Sequence, residues 1–135
     1  MNTFTEAAIE SVRLVAGLDA HLLAIVALSL EVSLAATLLA SLLGLPAGAL
    51  IAVEKFPGRR ALVVILNALM GLPPVVVGLV VYLLLSRAGP LGSLGILFTP
   101  SAMVLAQFLL VLPIVAALAR QSIEDAWHEY EEQLK

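Results

Sequence analysis

The chain contains no cysteine and few charged residues, and both shortages exclude classes of protein. Without cysteine, folds held together by disulfides and metal sites built on thiolates are excluded. Charged residues make up only 13% of the 135 residues, against roughly 25% in soluble globular domains. The seven lysines and arginines form no basic patch with interleaved aromatic residues, so nothing indicates a nucleic-acid partner.

Sequence signatures of catalysis are also missing. The phosphate-binding pattern Gly-x-x-x-x-Gly-Lys-Ser/Thr and the nucleophile pattern Gly-x-Ser-x-Gly do not occur. The two histidines, His21 and His128, are far apart and have no companions at metal-ligand spacing, which is typical of solvated helix ends. We therefore expect no catalytic residue, no bound metal and no cofactor in this chain.

Apolar residues, in contrast, make up 61% of the sequence. They are concentrated in three runs, at about 22–45, 61–85 and 101–119, each long enough to cross a hydrocarbon core of roughly 30 Å. Residues 4–16 alternate apolar and charged faces at helical spacing, and the segment 120–135 turns acidic. The sequence predicts one domain: an all-α integral membrane protein with three transmembrane helices, an N-terminal amphipathic helix on the membrane surface and a C-terminal cytoplasmic helix.

The second apolar run is interrupted near its middle by Pro73-Pro74. Two adjacent prolines remove two backbone donors and collide with the preceding turn, so a break is expected there. The freed backbone groups cannot face lipid and must face protein or a polar cavity. The 4-3-4 spacing of Asn67, Gly71, Pro74 and Gly78 predicts that they line one face. A broken helix at mid-membrane indicates a transport pathway; a kinked packing helix is the alternative.

The first apolar run carries two further patterns. Ser29, Ser33, Thr37 and Ser41 recur every four residues, and such a stripe predicts a face packed against another helix. Glu31 lies near the middle of the run and projects roughly opposite the stripe. A charge at that depth costs about 2.5–3.5 kcal/mol, so it suggests a functional group, or a protonated or paired carboxyl at a protein interface.

The distribution of basic residues predicts the orientation. Lys55, Arg59 and Arg60 lie between the first two runs, and the positive-inside rule places that loop in the cytoplasm. The N-terminus is then outside and the C-terminus inside. After Arg120 an amphipathic helical pattern continues to Lys135 with no stop signal, which suggests the N-terminal fragment of a larger bundle.

Several motifs carry a family resemblance. The sequences of residues 72–78 (Leu-Pro-Pro-Val-Val-Val-Gly) and 89–92 (Gly-Pro-Leu-Gly) are similar to those of molybdate permeases. The sequences of residues 97–103 and 120–125, together with Gly71 before the Leu-Pro-Pro, look closer to the tungstate-type branch. From about residue 22 to residue 135 the chain resembles the front half of a permease subunit of binding-protein-dependent ABC importers for oxyanions.

The resemblance implies a mechanism and a set of partners. A separate ABC ATPase subunit would bind and hydrolyse ATP, and an extracytoplasmic oxyanion-binding protein would deliver the substrate. A second permease copy would complete the pathway as a homodimer in the plasma membrane of a bacterium or archaeon. For the pathway we expect a shape set by glycines and prolines at the break, with two polar side chains as lining or as interhelical hydrogen-bond partners. These residues are Asn67, Gly71, Pro73, Pro74, Gly78 and Gln107.

The resemblance also implies that a cytoplasmic loop carries the contact with the ATPase, and that this loop begins within residues 120–135. In the family the loop contains Glu-Ala-Ala. Here the Glu would be Glu132, and Gln133 and Leu134 replace the two alanines. The docking helix itself would fall beyond the last residue. The residues expected at this contact are Trp127, Tyr130, Glu131, Glu132, Gln133 and Leu134.

Other functions remain open at this point. The substrate could equally be molybdate, sulfate or an organic anion, because nothing in the chain separates similar oxyanions by charge or shape. A small proton-coupled antiporter would use Glu31 as a shared proton and cation site. An assembly subunit without substrate is a third possibility, although pure packing has no use for a helix weakened by Pro-Pro. In a permease, an ionised Glu31 would repel an anion, so we expect Glu31 at a protein interface.

Overall fold

Five α-helices and a 3₁₀ turn account for most of residues 2–135, the part of the chain that the computed structural model describes. No β-strand occurs in this part. Two of the helices, α2 and α5, are long and apolar enough to cross a membrane, and the bent pair α3–α4 gives a third if it is counted as one span. The prediction of an all-α membrane protein is confirmed at that level. The elements are α1 (Thr3–Ala16), α2 (Ala20–Val53), α3 (Arg59–Met70), α4 (Pro74–Leu85), the 3₁₀ turn (Gly92–Leu94) and α5 (Pro100–Gln133).

The helix α1 matches the predicted amphipathic segment within one residue, and all its side chains are exposed. Its position on a membrane surface stays a prediction. After Gly17 the chain turns, and the side chain of Asp19 accepts a hydrogen bond from the backbone N–H of His21 at 3.3 Å. This is the capping interaction that satisfies a free donor at a helix start, and it lies at the beginning of α2.

The helix α2 continues eight residues beyond the predicted end at Leu45, through Pro46 to Val53. A proline inside a helix removes one backbone hydrogen bond. Here that loss is tolerated because the helix keeps packing on its neighbour past the proline: Gly48 and Ile51 are both buried. Pro46 itself is exposed. The helix is therefore longer than the predicted apolar span, whose bounds in the membrane stay a prediction.

The buried face of α2 is a stripe of mostly small residues. It is not the predicted stripe of hydroxyl side chains, because Ser29, Ser33 and Thr37 are exposed and Ser41 is only half-buried. The stripe that packs lies beside it, at a period of about four residues. Small residues let two helix backbones approach closely. Its members are Val32, Ala36, Ala40, Gly44, Gly48 and Ile51.

The glycines of that stripe fit directly against α5. A Cβ added to Gly44 would lie 2.9 Å from Cγ1 of Val115, and one added to Gly48 would lie 2.8 Å from Cβ of Ala119 and 3.0 Å from the backbone nitrogen of Arg120. The residue numbers of the contacting pairs, Gly44 with Val115 and Gly48 with Ala119, increase in the same direction along both helices. Therefore α2 and α5 run in the same direction, and the chain between them has to return to the end where α2 began.

The helix α5 unites two segments that the sequence analysis separated. The predicted span 101–119 and the predicted C-terminal helix within 120–135 form one continuous helix that ends at Gln133. Pro113 lies inside it and is buried. The change at Arg120 from apolar to charged sequence marks a change of surroundings and leaves the backbone helical.

The helix α4 supplies the other packed region. Val77, Val81 and Leu85 form a buried cluster with Ala102 of α5. The connection to α5 folds back on the end of α4, where the backbone N–H of Leu91 donates to the carbonyl of Leu84 at 3.0 Å. Gly89 makes this turn possible, since a Cβ there would lie 2.5 Å from the same carbonyl oxygen.

Most of the apolar surface is covered by nothing in this chain. The accessible surface is 10053 Å², whereas a soluble monomer of this mass exposes about 6,800 Å². Leucines along both long helices are exposed, for example Leu38 (63%) and Leu118 (50%). This surface fits lipid or further protein and does not fit water.

Candidate functional site

The break in the second apolar run is the first candidate site. The helix α3 ends at Met70, α4 begins at Pro74, and the two helix axes are bent by 101° across residues 71–73. Pro73 occupies the N-cap and Pro74 the first helical position, where a missing N–H is tolerated. The interruption lies where the Pro-Pro pair predicts it.

Backbone hydrogen bonds between residues three apart form a tight turn on each side of the break. The N–H groups of Gly71 and Leu72 donate to the carbonyls of Ala68 and Leu69 at 3.1 and 3.2 Å. On the other side, the N–H of Val76 donates to the carbonyl of Pro73 at 3.0 Å. Since Pro73 and Pro74 have no N–H, the start of α4 offers an anion fewer donors than an ordinary helix N-terminus.

The 101° bend changes the geometry assumed for the predicted pathway residues. Asn67 lies on α3 and Gly78 lies on α4, so the 4-3-4 spacing does not place them on one face of one helix. That expectation was wrong because it assumed a continuous helix. Asn67, Gly71, Pro73, Pro74 and Gly78 are all exposed, and no atom within 4 Å would meet a Cβ at Gly78.

The remaining pathway candidate, Gln107, lies on α5 and is half-buried. Between the two half-helices, Leu72 is half-buried and packs against the cluster of α4 and α5 that contains Val77. The break is therefore anchored on one side by an apolar contact and open on the other. The roles of the six pathway residues stay predictions.

A cluster of charged side chains lies at the other end of α3, where α2, α3 and α5 meet. Arg59, the first residue of α3, forms an ion pair with Glu124 of α5. Glu124 also accepts a hydrogen bond at 2.5 Å from Arg120, one turn earlier on α5. In addition, Nε of Arg59 donates to the carbonyl of Ile51 in α2 at 2.7 Å. We call Arg59, Arg120 and Glu124 the inner-end cluster.

A groove of about 560 Å³ adjoins the inner-end cluster. It lies between the turn after α2 and the last turns of α5, and it combines acidic, basic and aromatic side chains. Trp127 and Glu131, two of the six residues expected to contact an ATPase, line it. The full lining is Ala52, Val53, Lys55, Arg59, Ile123, Glu124, Trp127, His128 and Glu131.

The rest of the expected ATPase contact is a helical surface. Residues through Gln133 belong to α5, so the segment from residue 120 is helical, as its amphipathic pattern predicts, and its role as the beginning of the ATPase-coupling loop stays a prediction. Trp127, Tyr130 and Leu134 expose 68%, 68% and 86% of their surface. Glu132 and Gln133 are exposed beside them. This end of α5 presents aromatic and acidic side chains with no partner within residues 2–135 except the ion pair of Glu131 with Lys135.

The pairing of Arg59 with Glu124 was not predicted from the sequence. The four-residue spacing of Arg120 and Glu124 is a recognisable helical ion pair. Arg59, however, lies 65 residues from Glu124, and only the parallel packing of α2 on α5 brings them together. Glu31 belongs to no such cluster: it is exposed on α2, and no group of three metal-ligating side chains occurs within the described residues.

The relatives found by comparison with known proteins include several that are named as permease proteins of transport systems. The chain is 43% identical over 104 residues to a probable anion ABC transporter permease protein of Haloferax volcanii, which aligns 77% of this chain with 45% of that protein. It is 40% identical over 108 residues to the tungstate uptake system permease protein TupB of Peptoclostridium acidaminophilum, covering 80% and 47% of the two chains. It is 32% identical over 120 residues to the sulfate transport system permease protein CysW of Synechococcus elongatus, covering 84% and 42%.

The chain thus spans slightly less than half the length of these relatives. No family model and no solved structure matches it. The apolar helices and the identity of 40% or more over most of the chain agree with the resemblance found in the motifs. Over the region that it shares with these relatives, the chain is similar to permease proteins of ABC transporters, and its apolar helices are those of a multi-pass membrane protein.

Proposed function

We propose that this chain forms part of the permease subunit of an ATP-driven importer of tungstate or a similar oxyanion, in the plasma membrane of a bacterium or archaeon. The observation that carries the proposal is the 101° interruption between α3 and α4 in a chain 40% identical to a tungstate permease. A membrane helix broken between two intact ones is the usual construction of a substrate pathway.

In this proposal the pair α3–α4 crosses the membrane once. The first residue of α3 pairs with Glu124, and the last residue of α4 packs in the cluster of Ala102. These two points on α5 are separated by roughly 33 Å at about 1.5 Å per residue. That separation matches a hydrocarbon core of about 30 Å, so the pair returns the chain across the bilayer and three crossings result.

The proposed orientation has the N-terminus outside and the C-terminus in the cytoplasm. Arg59 and Arg120 meet at the inner-end cluster, and Lys55 lines the adjoining groove. Arg60 follows Arg59 in the first turn of α3. Basic residues from two distant parts of the sequence are therefore gathered at one end of the bundle, as the positive-inside rule requires of the cytoplasmic side.

The permease would do its work through contacts that differ between two states, because a ligand shifts a conformational equilibrium only by its differential affinity. We place the pathway at the break, with Gly71, Pro73, Pro74 and Gly78 setting its shape. Asn67 and Gln107 supply polar groups to it. A second permease copy completes the pathway across the exposed side of the break, and Glu31 lies at a protein interface away from the anion.

The ATPase subunit would contact the cytoplasmic end of α5. The aromatic and acidic surface formed by Trp127, Tyr130 and Glu132 is exposed there and lies beside the 560 Å³ groove. Tryptophan and tyrosine are among the residues that most often dominate protein–protein contacts. ATP is bound and hydrolysed by that partner, and an extracytoplasmic binding protein delivers the oxyanion to the opposite side.

The test is uptake by membrane vesicles that contain the complete transporter: the permease, its ATPase and its binding protein. Tungstate, molybdate and sulfate are offered separately at equal concentration, and the accumulated metal or sulfur is measured by mass spectrometry. We expect tungstate accumulation that requires ATP and stops with a non-hydrolysable analogue. Accumulation driven by a proton gradient without ATP would contradict the proposal in favour of an antiporter, and a preference for molybdate or sulfate would contradict the choice of substrate.

A further inference from the structure

The side chain of Arg59 connects three helices at once. Its Nε donates to the carbonyl of Ile51 in α2 at 2.7 Å, and its Nη2 pairs with Glu124 in α5, while the residue itself begins α3. Only a guanidinium presents several donors in a fixed planar fork that can serve two acceptors in different directions. A lysine at this position would have to give up one of the two partners.

The acceptor of that ion pair is held in place from its own side. Arg120 bonds the second carboxylate oxygen of Glu124 at 2.5 Å. The side chain of Arg120 is only 13% exposed, and the backbone of Arg120 packs against Gly48 of α2. Glu124 is therefore fixed relative to the seam between α2 and α5, and Arg59 is tied to a rigid part of the molecule.

The helix α3 packs on α5 without burying any residue completely: Leu62, Val63 and Leu66 are only half-buried. The helix α4, in contrast, buries Val77, Val81 and Leu85. Its 12 residues form a rod of about 18 Å with the inner-end cluster at one end and the break at the other. The turn before it has only five residues and enters the helix through Gly58, whose φ of 87° suits glycine.

We infer that Arg59 is a positioning residue, which ties α3 to the cytoplasmic end of α5 so that the break at residues 71–73 follows the movement of α5. This inference rests on the proposed function, because α5 is moved by the ATPase only if the chain is a permease. Through the tie, a displacement at the ATPase contact reaches the pathway along α3. The opposite half-helix α4 is held at the other end of α5 by its buried cluster with Ala102, so a displacement of the cytoplasmic end of α5 relative to that end changes the angle between the two half-helices.

The first test measures the tie itself, without transport. The chain has no cysteine, so Val64→Cys on α3 and Leu118→Cys on α5, both at exposed positions, can carry two spin labels in the full chain in lipid bilayers. We expect Arg59→Gln to broaden and shift the distribution of distances between the labels. Arg60→Gln is the matched control, because Arg60 is the exposed neighbour and has no ion pair within residues 2–135.

The second test measures coupling in the complete transporter, as oxyanion accumulated per ATP hydrolysed. We expect Arg59→Gln to lower this ratio at least about fivefold, the lower end of typical coupling between two sites, and Arg60→Gln to leave it unchanged. A residue with a purely structural role would lower the amount of transporter and leave the ratio of the surviving molecules intact. If Arg59→Gln does not reach the membrane, Arg59→Lys replaces it, since it keeps the charge and loses one of the two bonds.

The outcomes separate the inference from the proposed function. A distance distribution in Arg59→Gln identical to that of the unmodified chain overturns the positioning role. An unchanged coupling ratio in Arg59→Gln overturns it as well. Absence of ATP-driven uptake in the unmodified transporter would instead overturn the proposed function, and the transmission to the pathway with it, whatever the distances show.

Discussion

The substitution Gly48→Ala tests the close packing of α2 on α5. A Cβ at Gly48 would lie 2.8 Å from Cβ of Ala119 and 3.0 Å from the backbone nitrogen of Arg120, and it would also meet the carbonyl oxygen of Ala116. Two of these three atoms belong to the backbone of α5. The new methyl group can be accommodated only by separating the helices, because no side-chain rotation moves a backbone atom.

The magnitude follows from a comparison with Gly78→Ala. Inserting a methyl group into a packed interface costs about 1–3 kcal/mol. Replacing glycine by alanine inside a helix also gains up to about 1 kcal/mol, but both variants share that gain. At Gly78 no atom lies within 4 Å of the added Cβ. The difference between the two variants therefore isolates the contact, and we expect Gly48→Ala to be less stable by about 1–3 kcal/mol.

The assay is unfolding in mixed micelles, where helix content is followed by circular dichroism as the fraction of denaturing detergent rises. Gly44→Ala provides an intermediate case, since its closest neighbour would be the side chain of Val115 at 2.9 Å. We expect the order of stability, from most to least stable, to be Gly78→Ala, Gly44→Ala, Gly48→Ala. Equal stability of Gly48→Ala and Gly78→Ala would refute the tight seam and with it the parallel arrangement that brings the inner-end cluster together.

Three further predictions concern function. Glu31→Gln should leave ATP-driven tungstate uptake within about twofold of that of the unmodified chain, because the exposed side chain makes no ion pair within the described residues and surface changes of this kind are nearly neutral. Loss of uptake would favour the antiporter. Trp127→Ala should leave the amount of permease in the membrane unchanged, since the side chain is 68% exposed, but should weaken co-purification of the ATPase at least about fivefold; normal co-purification would remove Trp127 from that contact. The double variant Pro73→Ala with Pro74→Ala should restore helix propensity at the break and abolish most uptake. Pro46→Ala should not reduce uptake, because Pro46 is an exposed proline inside an unbroken helix. Equal uptake by the two variants would show that the break is not part of the pathway.

The class of fold could be predicted from the sequence because it depends on properties that add along the chain. Apolar runs of about 20 residues with helical backbone are the main way to cross a bilayer, and Pro73-Pro74 interrupts a helix whatever surrounds it. The ends of the helices were harder to predict from the sequence. The first apolar run ends at about Leu45, whereas α2 continues to Val53, where Gly48 and Ile51 are still buried.

The features of the candidate sites also differ in whether the sequence could predict them. The break was predictable because its cause is local. The face that packs was not: the hydroxyl stripe at Ser29, Ser33 and Thr37 and the small-residue stripe beside it have the same four-residue period. Nothing in the period says which of two neighbouring stripes faces another helix. The inner-end cluster was half predictable, since Arg120 and Glu124 are one turn apart and Arg59 is not.

By itself the sequence determined that this chain lies in a membrane, that its second apolar run is interrupted at Pro73-Pro74, and which permeases its motifs resemble. These properties follow from residues close together in the chain, where hydropathy and backbone chemistry act. Only the tertiary structure decided that α2 and α5 lie parallel along glycines 44 and 48, and that Arg59 reaches Glu124 across 65 residues. Those facts depend on how closely two helices can approach, and that distance is set by both surfaces together.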